Sequence, residues 1–343
     1  MPGMDLQSLE TMSSPTVARY RSVEMDSARW HEFSFRAGDI VISAPPKSGT
    51  TWLQMICALL IFRVPKLPVP LDTISPWLEQ TFRPIEDVLR TLEQQVHRRI
   101  IKSHTPFDGL PFDERVTYLC VGRDPRDIAV SWDYQVRNIN VAAVSALREK
   151  TRGNGQAAIP AMDSRGLTSA RDRFWKWVER NESPQDVITT LKGALHHYSS
   201  FWKARTNQNV FLVHFDDLLF NLGGQMELLA AKLGLSPHDN HWNELVLAAS
   251  FENMRGRASE VGPNMTEPIW ISPRRFFHCG KSGQWMNLIK AADVKRYENR
   301  VSSLISADLS DWLHRGKMFS GLHAGVNGEN VKQASTRNES TPA

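Results

Sequence analysis

Short runs of apolar residues alternate along this chain with segments whose apolar positions repeat at helical spacing. The short runs are rich in strand-forming residues and predict strands at 40–42, 99–105, 116–122 and 209–215. Helical spacing predicts helices at 52–60, 84–96, 125–137, 174–180, 187–205, 224–233, 242–254 and 291–304. This alternation predicts an α/β fold in a single domain. A central, mostly parallel sheet should be flanked by helices, with ligands bound beyond the carboxyl ends of its strands.

Several segments show neither pattern. Residues 1–16 are polar and predict a flexible tail, and residues 326–343 predict a disordered one, which leaves 17–325 as the folded domain. The segment 64–76 holds four prolines and predicts an irregular surface connection. Residues 138–172 lose periodicity and gain glycines and basic residues. We interpret this last segment as an irregular insertion or lid beside the ligand site.

Composition narrows the function only slightly. The net charge of +4 and the pI near 9.0 fit an anionic small-molecule ligand, a nucleic acid or an anionic membrane surface equally well. The three cysteines, Cys57, Cys120 and Cys279, lack the spacing of a zinc site or a disulfide framework, which favours a reducing, cytoplasmic setting. The N-terminus lacks a signal-peptide pattern, and the apolar run 52–62 is too short to span a bilayer.

Residues 39–54 predict an apolar strand, a tight loop and a helix N-terminus, an order that forms an anion site. The first N–H groups of the helix lack internal partners, hydroxyls follow at Ser48, Thr50 and Thr51, and Lys47 adds a charge. The stretch is not a nucleotide triphosphatase P-loop, because Lys47 precedes its only glycine. An ordinary strand-to-helix turn is the other interpretation.

Two further strands end in chemistry-bearing residues. Lys102 and His104 follow one strand, and Arg123 follows the next, with Ser131 two helical turns later. Arg123 could bind a phosphate through its planar fork or pair with a neighbouring aspartate. His104 could exchange a proton near neutral pH or act as a satisfied structural histidine, and its place beside Lys102 favours catalysis.

Four motifs stand in a fixed order over about 240 residues. They are Pro46-Lys47-Ser48-Gly49-Thr50-Thr51-Trp52, Ile101-Lys102-Ser103-His104-Thr105-Pro106, Gly122-Arg123-Asp124-Pro125-Arg126-Asp127-Ile128-Ala129-Val130-Ser131 and Phe276-Phe277-His278-Cys279-Gly280-Lys281-Ser282-Gly283-Gln284-Trp285. Together they resemble the cytosolic-type sulfotransferases, which move a sulfuryl group from 3′-phosphoadenosine 5′-phosphosulfate (PAPS) to an acceptor. Details such as Ser75-Pro76-Trp77 look most like actinobacterial members, some of which sulfate glycolipids.

The resemblance implies a donor site drawn from the first, third and fourth motifs and from two phenylalanines outside them. The first would hold the 5′-phosphosulfate and stack a tryptophan on adenine, and the third would bind the 3′-phosphate. Two phenylalanines would contact adenine, although core packing is an equal alternative for them. The implied donor-binding residues are Lys47, Ser48, Gly49, Thr50, Thr51, Trp52, Arg123, Ser131, Phe215, Phe251, His278 and Gly280.

The resemblance also implies a mechanism without a metal ion. His104 would remove the proton of the acceptor hydroxyl, and Lys47 and Lys102 would stabilise the charge that develops during transfer. Two rivals are a noncatalytic PAP- or nucleotide-binding protein and a nucleotide-dependent kinase.

The acceptor is open among apolar hydroxyl compounds, and we expect a small molecule or a glycolipid rather than a nucleic acid. Trp77 and the aromatic set Phe174, Trp175 and Trp177 suggest a roomy apolar site. The basic net charge and the apolar acceptor site are compatible with transient contact with a membrane surface. They do not determine the oligomeric state.

One departure concerns the last motif. Many relatives have Arg-Lys-Gly where this chain has His278-Cys279-Gly280, so a strong 3′-phosphate ligand is missing or weakened. Arg274, Arg275 or Lys281 could compensate, or could be solvated loop charges. We therefore expect weaker donor affinity.

Overall fold

A computed structural model describes residues 17–151, 169–236, 241–264, 267 and 269–320 of the chain. The tails expected at 1–16 and 326–343, and residues 152–168 of the expected insertion, fall at positions outside these residues. Among the helices of the described residues, none is long and apolar enough to cross a membrane.

The core of the fold is a four-stranded sheet with the order β2-β1-β3-β4. Its strands are β1 (Ile40–Ser43), β2 (Ile100–Ser103), β3 (Thr117–Gly122) and β4 (Val210–His214). Every pairing in it is parallel, which confirms the predicted arrangement. All residues of β1 and β2 are buried, as expected for parallel strands covered on both faces. Their carboxyl ends therefore meet at one edge of the sheet.

Helices flank this sheet. In the described residues they are α1 (Thr50–Phe62), α2 (Leu71–Ile74), α3 (Ile85–Glu93), α4 (Pro125–Val136), α5 (Val141–Thr151), α6 (Ala170–Glu179), α7 (Leu191–Ala204), α8 (Phe215–Phe220), α9 (Leu222–Lys232), α10 (Trp242–Ala248), α11 (Phe251–Gly256), α12 (Ala258–Val261), α13 (Pro273–Phe276), α14 (Ala291–Ser302) and α15 (Ala307–Ser320). Short 3-10 turns lie at Ser27–Glu32, Phe107–Gly109 and Gln284–Asn287.

The structure corrects several sequence expectations. The first part of the 138–172 segment is not irregular but forms α5, because helix-favouring residues such as Ala142, Ala143 and Leu147 precede the glycines that suggested a loop. The segment 64–76 is not wholly irregular, because the residues between its last two prolines form the single turn of α2. The helix expected at 242–254 is two helices, since the Ser250 side chain caps the start of α11. Helix α15 and the short helices α8, α12 and α13 were not predicted from the sequence.

Helix α1 passes through the middle of the hydrophobic core. Its side chains from Leu53 to Leu60 are buried on all sides, which explains why its sequence is apolar without a polar face. A helix held this firmly gives the loop before it a fixed position. The loop between β1 and α1 therefore lies rigidly at the carboxyl edge of the sheet.

Candidate active site

The loops that follow β1, β2 and β3 surround one cavity of about 280 Å³. It is lined by nearly all of the residues predicted from the motifs: Lys47, Gly49, Thr50, Thr51, Trp52, Lys102, His104, Arg123, Ser131, Phe215, Phe251, His278 and Gly280. Ser48 is the exception. Its side chain is fully buried away from the cavity, where its hydroxyl shares a 2.6 Å hydrogen bond with the Tyr198 hydroxyl. Ser48 thus ties the loop to α7 instead of facing a ligand.

The loop between β1 and α1 has an unusual backbone. Gly49 has a φ of 115°, and a Cβ at this position would lie only 3.0 Å from the Phe215 ring. Lys47 adopts a φ of 73°, which is uncommon for a residue with a side chain. Thr50 Oγ1 is buried and has no hydrogen-bond partner in the described part of the chain. The loop therefore offers an unmatched hydroxyl beside the amide groups at the start of α1.

Three cationic side chains face this cavity without a carboxylate partner among the described residues: Lys47, Lys102 and Arg123. Instead they rest on aromatic rings: Lys47 Nζ lies 4.1 Å from the centre of Phe276, and Lys102 Nζ lies 4.9 Å from that of Trp77. Burial and the nearby Arg123 and Lys102 cations lower the pKa of Lys47 to about 7, and burial lowers the pKa of Lys102 to about 8. Such a cluster disfavours its own charge and favours a bound anion.

Arg123 does not form the ion pair considered from the sequence. Its guanidinium donates to the backbone oxygens of Lys47, at 3.0 Å, and Lys281, at 3.2 Å, and its Nε is buried without an acceptor among the residues that the structure describes. Asp124 pairs with Arg126, and Asp127 accepts hydrogen bonds from backbone N–H groups. An orphaned buried guanidinium nitrogen fits a phosphate or sulfate oxygen.

His104 is buried and carries a defined tautomer. Its Nδ1 lies 2.6 Å from the backbone oxygen of Ala44, which can only accept, so Nδ1 carries the proton and Nε2 keeps its lone pair. Burial and the adjacent Lys102 cation hold the pKa of the imidazole well below its usual range. Trp77 packs edge-on against the ring, with centroids 5.0 Å apart. The side chain is therefore a fixed, neutral base.

Glu79 supports this base, although its role was not predicted from the sequence. The carboxylate is fully buried and accepts hydrogen bonds from Trp30 Nε1, at 2.7 Å, from Thr105 Oγ1, at 2.8 Å, and from Ser103 Oγ. Ser103 and Thr105 flank His104, so Glu79 holds both sides of the segment that carries it. A single carboxylate after the apolar Trp77-Leu78 pair was the only sequence signal.

The last motif closes the cavity at the side of Arg123. His278 stacks on Tyr134, with ring centroids 3.4 Å apart, and its Nδ1 lies 3.0 Å from Gln284 Oε1. Burial and the cations of Lys47, Arg123 and Arg255 lower the pKa of His278. Gly280 has a φ of 65°, and a Cβ there would collide with the Phe251 ring. The side chains of Arg274, Arg275 and Lys281 are exposed and do not line the cavity.

The other half of the cavity is aromatic and apolar. It is lined by Trp77, Phe82, Trp132, Trp270 and Phe276, together with Val141, Val144 and Ser145 from α5. The aromatic set expected here from the sequence lies elsewhere, because Phe174, Trp175 and Trp177 are buried in the core. In the described residues, no group of three or more His, Cys, Asp or Glu side chains could hold a metal ion.

Comparison with known proteins places this site in a family. Residues 37–309 match the model of the sulfotransferase domain. A glycolipid sulfotransferase of Mycobacterium bovis (strain BCG / Pasteur 1173P2) is 43% identical over 308 residues, which cover 87% of this chain and 94% of that protein. A glycolipid sulfotransferase of Mycobacterium tuberculosis (strain ATCC 25618 / H37Rv) is also 43% identical, over 307 residues and the same shares of each chain.

The fold is shared with a solved structure of lower sequence similarity. A crystal structure of retinol dehydratase in complex with androsterone and the inactive cofactor PAP aligns with a TM-score of 0.62 at 18% identity. The alignment covers 82% of this chain and 84% of that one. The chain belongs to the sulfotransferase family.

Proposed function

We propose that this sulfotransferase moves the sulfuryl group of PAPS to a hydroxyl group of a glycolipid acceptor. The 43% identity to proteins named glycolipid sulfotransferases, over most of both chains, supports the acceptor class. The aromatic half of the cavity supports it too, because apolar walls with a few polar groups suit an acceptor that joins a sugar to a lipid.

One observation carries the proposal. Within the described part of the chain, three cations with no carboxylate partner and a neutral histidine with a free Nε2 line the same cavity. The cations favour binding of an anion, and the neutral histidine can accept a proton from a bound group. A donor with anionic groups at two positions and an acceptor hydroxyl meet both requirements together.

The donor-binding residues fall into two groups by their position. Lys47, Thr50, Thr51 and the start of α1 would hold the 5′-phosphosulfate, and Gly49 lets the backbone approach it closely. Arg123 and Ser131, with Gly280 and His278 in the closing segment, would bind the 3′-phosphate. The buried orphan atoms Thr50 Oγ1 and Arg123 Nε lie one in each group, which supports two anion sites.

Three aromatic side chains support the adenine assignment. Trp52 Nε1 donates to the Ala249 backbone oxygen at 2.8 Å, which fixes the indole plane. Phe215 packs edge-on against Trp52, with ring centroids 5.2 Å apart. The Phe251 ring lies so close to Gly280 that a Cβ at Gly280 would collide with it. All three rings line the same cavity as the two anion groups, so Trp52, Phe215 and Phe251 would enclose the base.

PAPS, when bound, supplies the sulfuryl group and leaves as PAP. His104 Nε2 would take the proton of the acceptor hydroxyl as the acceptor oxygen forms its bond to sulfur and the bond from sulfur to the 5′-phosphate oxygen breaks. Lys47 and Lys102 would stabilise the negative charge on the transferring group and on the departing phosphate oxygen. Glu79 would keep the His104 segment in place.

The direct test is an acceptor screen with labelled PAPS in a buffer that contains a metal chelator. We expect label in a glycolipid and little or none in a simple phenol or a steroid. Labelled ATP in place of PAPS should transfer nothing. Transfer of phosphate from ATP, or binding of PAP without any labelled acceptor across the screen, would instead support the kinase or the noncatalytic alternative.

A further inference from the structure

The mouth of the cavity is framed by a clip between two loops. The Asn140 N–H donates to the Ile269 backbone oxygen at 2.8 Å, and the Ile271 N–H donates to the Asn138 backbone oxygen at 2.8 Å. Ile139 and Trp270 form the antiparallel bridge between these bonds, and both side chains line the cavity. The clip therefore connects the aromatic interior directly to the protein surface.

Apolar side chains project from this clip into solvent. Val141 lines the cavity and is nevertheless 61% exposed, and Ile271 is 60% exposed. Met286, two residues after the cavity-lining Gln284, is 64% exposed. Exposed aliphatic groups at a cavity entrance lose contact with water only when a partner covers them.

Basic side chains accompany these apolar groups. Arg274, Arg275 and Lys281 are exposed and have no ion pair in the described part of the chain. Residues 269–290 contain four basic residues and no acidic one. Elsewhere surface arginines are commonly paired, as Arg171 is with Asp293 and Arg296 with Glu179.

We propose that this mouth rim, formed by Val141, Ile271, Arg274, Arg275, Lys281 and Met286, docks on an anionic lipid bilayer. The basic residues match the negative surface of such a bilayer, and the aliphatic groups enter its headgroup boundary. Ile271 directly follows Trp270 and Arg275 directly precedes Phe276, and both of these aromatic residues line the cavity, so docking brings the bilayer to the cavity entrance. The inference rests on the proposed function, because a glycolipid acceptor resides in a bilayer.

A second exposed apolar cluster provides matched controls. Phe220, Leu228 and Leu247 are 64%, 61% and 64% exposed on α8, α9 and α10. None of them lines the cavity. Leu228→Glu therefore introduces the same charge as Ile271→Glu at a site of equal exposure and similar size.

The test is flotation of the full chain with vesicles of phosphatidylcholine alone and of phosphatidylcholine mixed with phosphatidylglycerol. We expect binding to the anionic vesicles only, and weaker binding as salt is added. Arg274→Gln/Arg275→Gln should weaken binding about 30-fold, since each basic residue near the surface contributes about five-fold. Ile271→Glu should abolish binding, and Leu228→Glu should leave it unchanged.

Three results would overturn the inference: no binding to anionic vesicles, equal binding to both vesicle types, or an equal loss in Ile271→Glu and Leu228→Glu. A dimer in solution that Ile271→Glu dissociates would assign the rim to a protein interface instead. Circular dichroism and PAP binding of each variant establish that it is folded.

A soluble short-chain glycoside acceptor separates this inference from the proposed function. Ile271→Glu should sulfate it as well as the unchanged protein does, while sulfation of a vesicle-bound glycolipid falls at least 10-fold, in line with the lost binding. If the chain sulfates the soluble glycoside but never binds vesicles, the docking inference fails and the proposed function stands.

Discussion

Lys47 combines two features that follow from its place in the loop between β1 and α1. Its backbone is held at a φ of 73°, and its ammonium group lies near Arg123 and Lys102, with no carboxylate partner in the described residues. Uncommon backbone conformations persist where the surrounding structure holds them, and they cluster at functional sites. The conformation and charge of Lys47 therefore suit the binding of an anion and do not stabilise the fold.

The lowered pKa of Lys47, about 7, makes a prediction about donor binding. At pH 8 the free side chain is mostly neutral, and a bound phosphate favours its charged form, so PAP binding should take up about one proton. PAP affinity should accordingly fall as the pH rises through 7 and 8, where the free lysines lose their protons. Calorimetry of PAP binding in buffers of different ionisation enthalpy measures the uptake.

Lys47→Met should remove most of this proton uptake. Lys290→Met is the matched control, because Lys290 is exposed and does not line the cavity, and it should leave the uptake intact. If Lys47→Met binds PAP with the same proton uptake as the unchanged protein, Lys47 is not the titrating ligand.

His278 makes the second residue-scale prediction. Its lowered pKa leaves it neutral at pH 7, so it offers the 3′-phosphate less than an arginine fork would. His278→Arg should tighten PAP binding about 10-fold through charge-assisted hydrogen bonds. His31→Arg, an exposed position outside the cavity, serves as the control. Unchanged affinity in His278→Arg would reject the idea that this position limits donor binding.

Most cavity-lining motif residues were predictable because the chemistry of each motif is local in sequence. Ser48 was not, because the direction of a side chain in a tight loop depends on the backbone angle of its neighbour Lys47. Glu79 was not either, since its partners Trp30, Ser103 and Thr105 come from separate segments. Hydrogen bonds between distant segments leave no pattern in a single sequence.

The clip between 138–140 and 269–272 depends largely on one side chain. Asn138 is buried, donates through Nδ2 to the Ser272 backbone oxygen at 2.9 Å and accepts from the Ser272 N–H at 3.1 Å. Together with the backbone bonds it joins the start of α5 to the segment before α13. The shape of the aromatic half of the cavity therefore depends on a contact between two distant segments.

Asn138→Ala should loosen this clip while sparing the donor half of the cavity. Loss of two hydrogen bonds, each worth about 1 kcal/mol, should speed hydrogen exchange at the Ile271 amide by about 30-fold. We also expect a higher KM for the acceptor and unchanged PAP affinity. Asn299→Ala, exposed on α14, is the control. Slow exchange at Ile271 in Asn138→Ala would mean that the backbone pairing alone holds the clip.

At the scale of elements, strands were more predictable than helices. The β-branched and apolar runs located all four described strands to within about two residues, because buried parallel strands are apolar throughout. Helices α5 and α15 and the short helices α2, α8, α12 and α13 were missed, and α10 and α11 were merged. The side chain of Ser250 caps the start of α11 and so separates it from α10. One capping residue is a weak signal beside apolar residues that continue at helical spacing.

In the whole molecule, the active site and a stabilising buried ion pair lie at opposite ends of the strands. The active site lies beyond the carboxyl ends of the strands, whereas Asp39 and Arg99 precede β1 and β2 at the amino ends. These two side chains are almost fully buried and form two hydrogen bonds, one of 2.9 Å from Arg99 Nε to Asp39 Oδ1. The parallel topology was predictable from the order of elements, but this pairing across strands was not.

Arg99→Met should therefore destabilise the fold without harming the site. Leaving Asp39 buried and unpaired should cost about 3 to 5 kcal/mol in the free energy of unfolding, measured by urea denaturation. Arg90→Met, which breaks the exposed pair with Asp87, should cost less than about 1 kcal/mol. Equal losses in the two variants, or a lowered kcat in folded Arg99→Met, would contradict this separation.

The most direct test of the catalytic proposal compares His104→Ala with the unchanged protein in PAP binding and in sulfate transfer from PAPS. The fixed Nδ1 hydrogen bond and the free Nε2 predict that kcat falls by about 10² to 10⁴-fold while PAP affinity is retained. His31→Ala, at an exposed position, should change neither quantity. If His104→Ala keeps both PAP binding and full turnover, His104 is not the base.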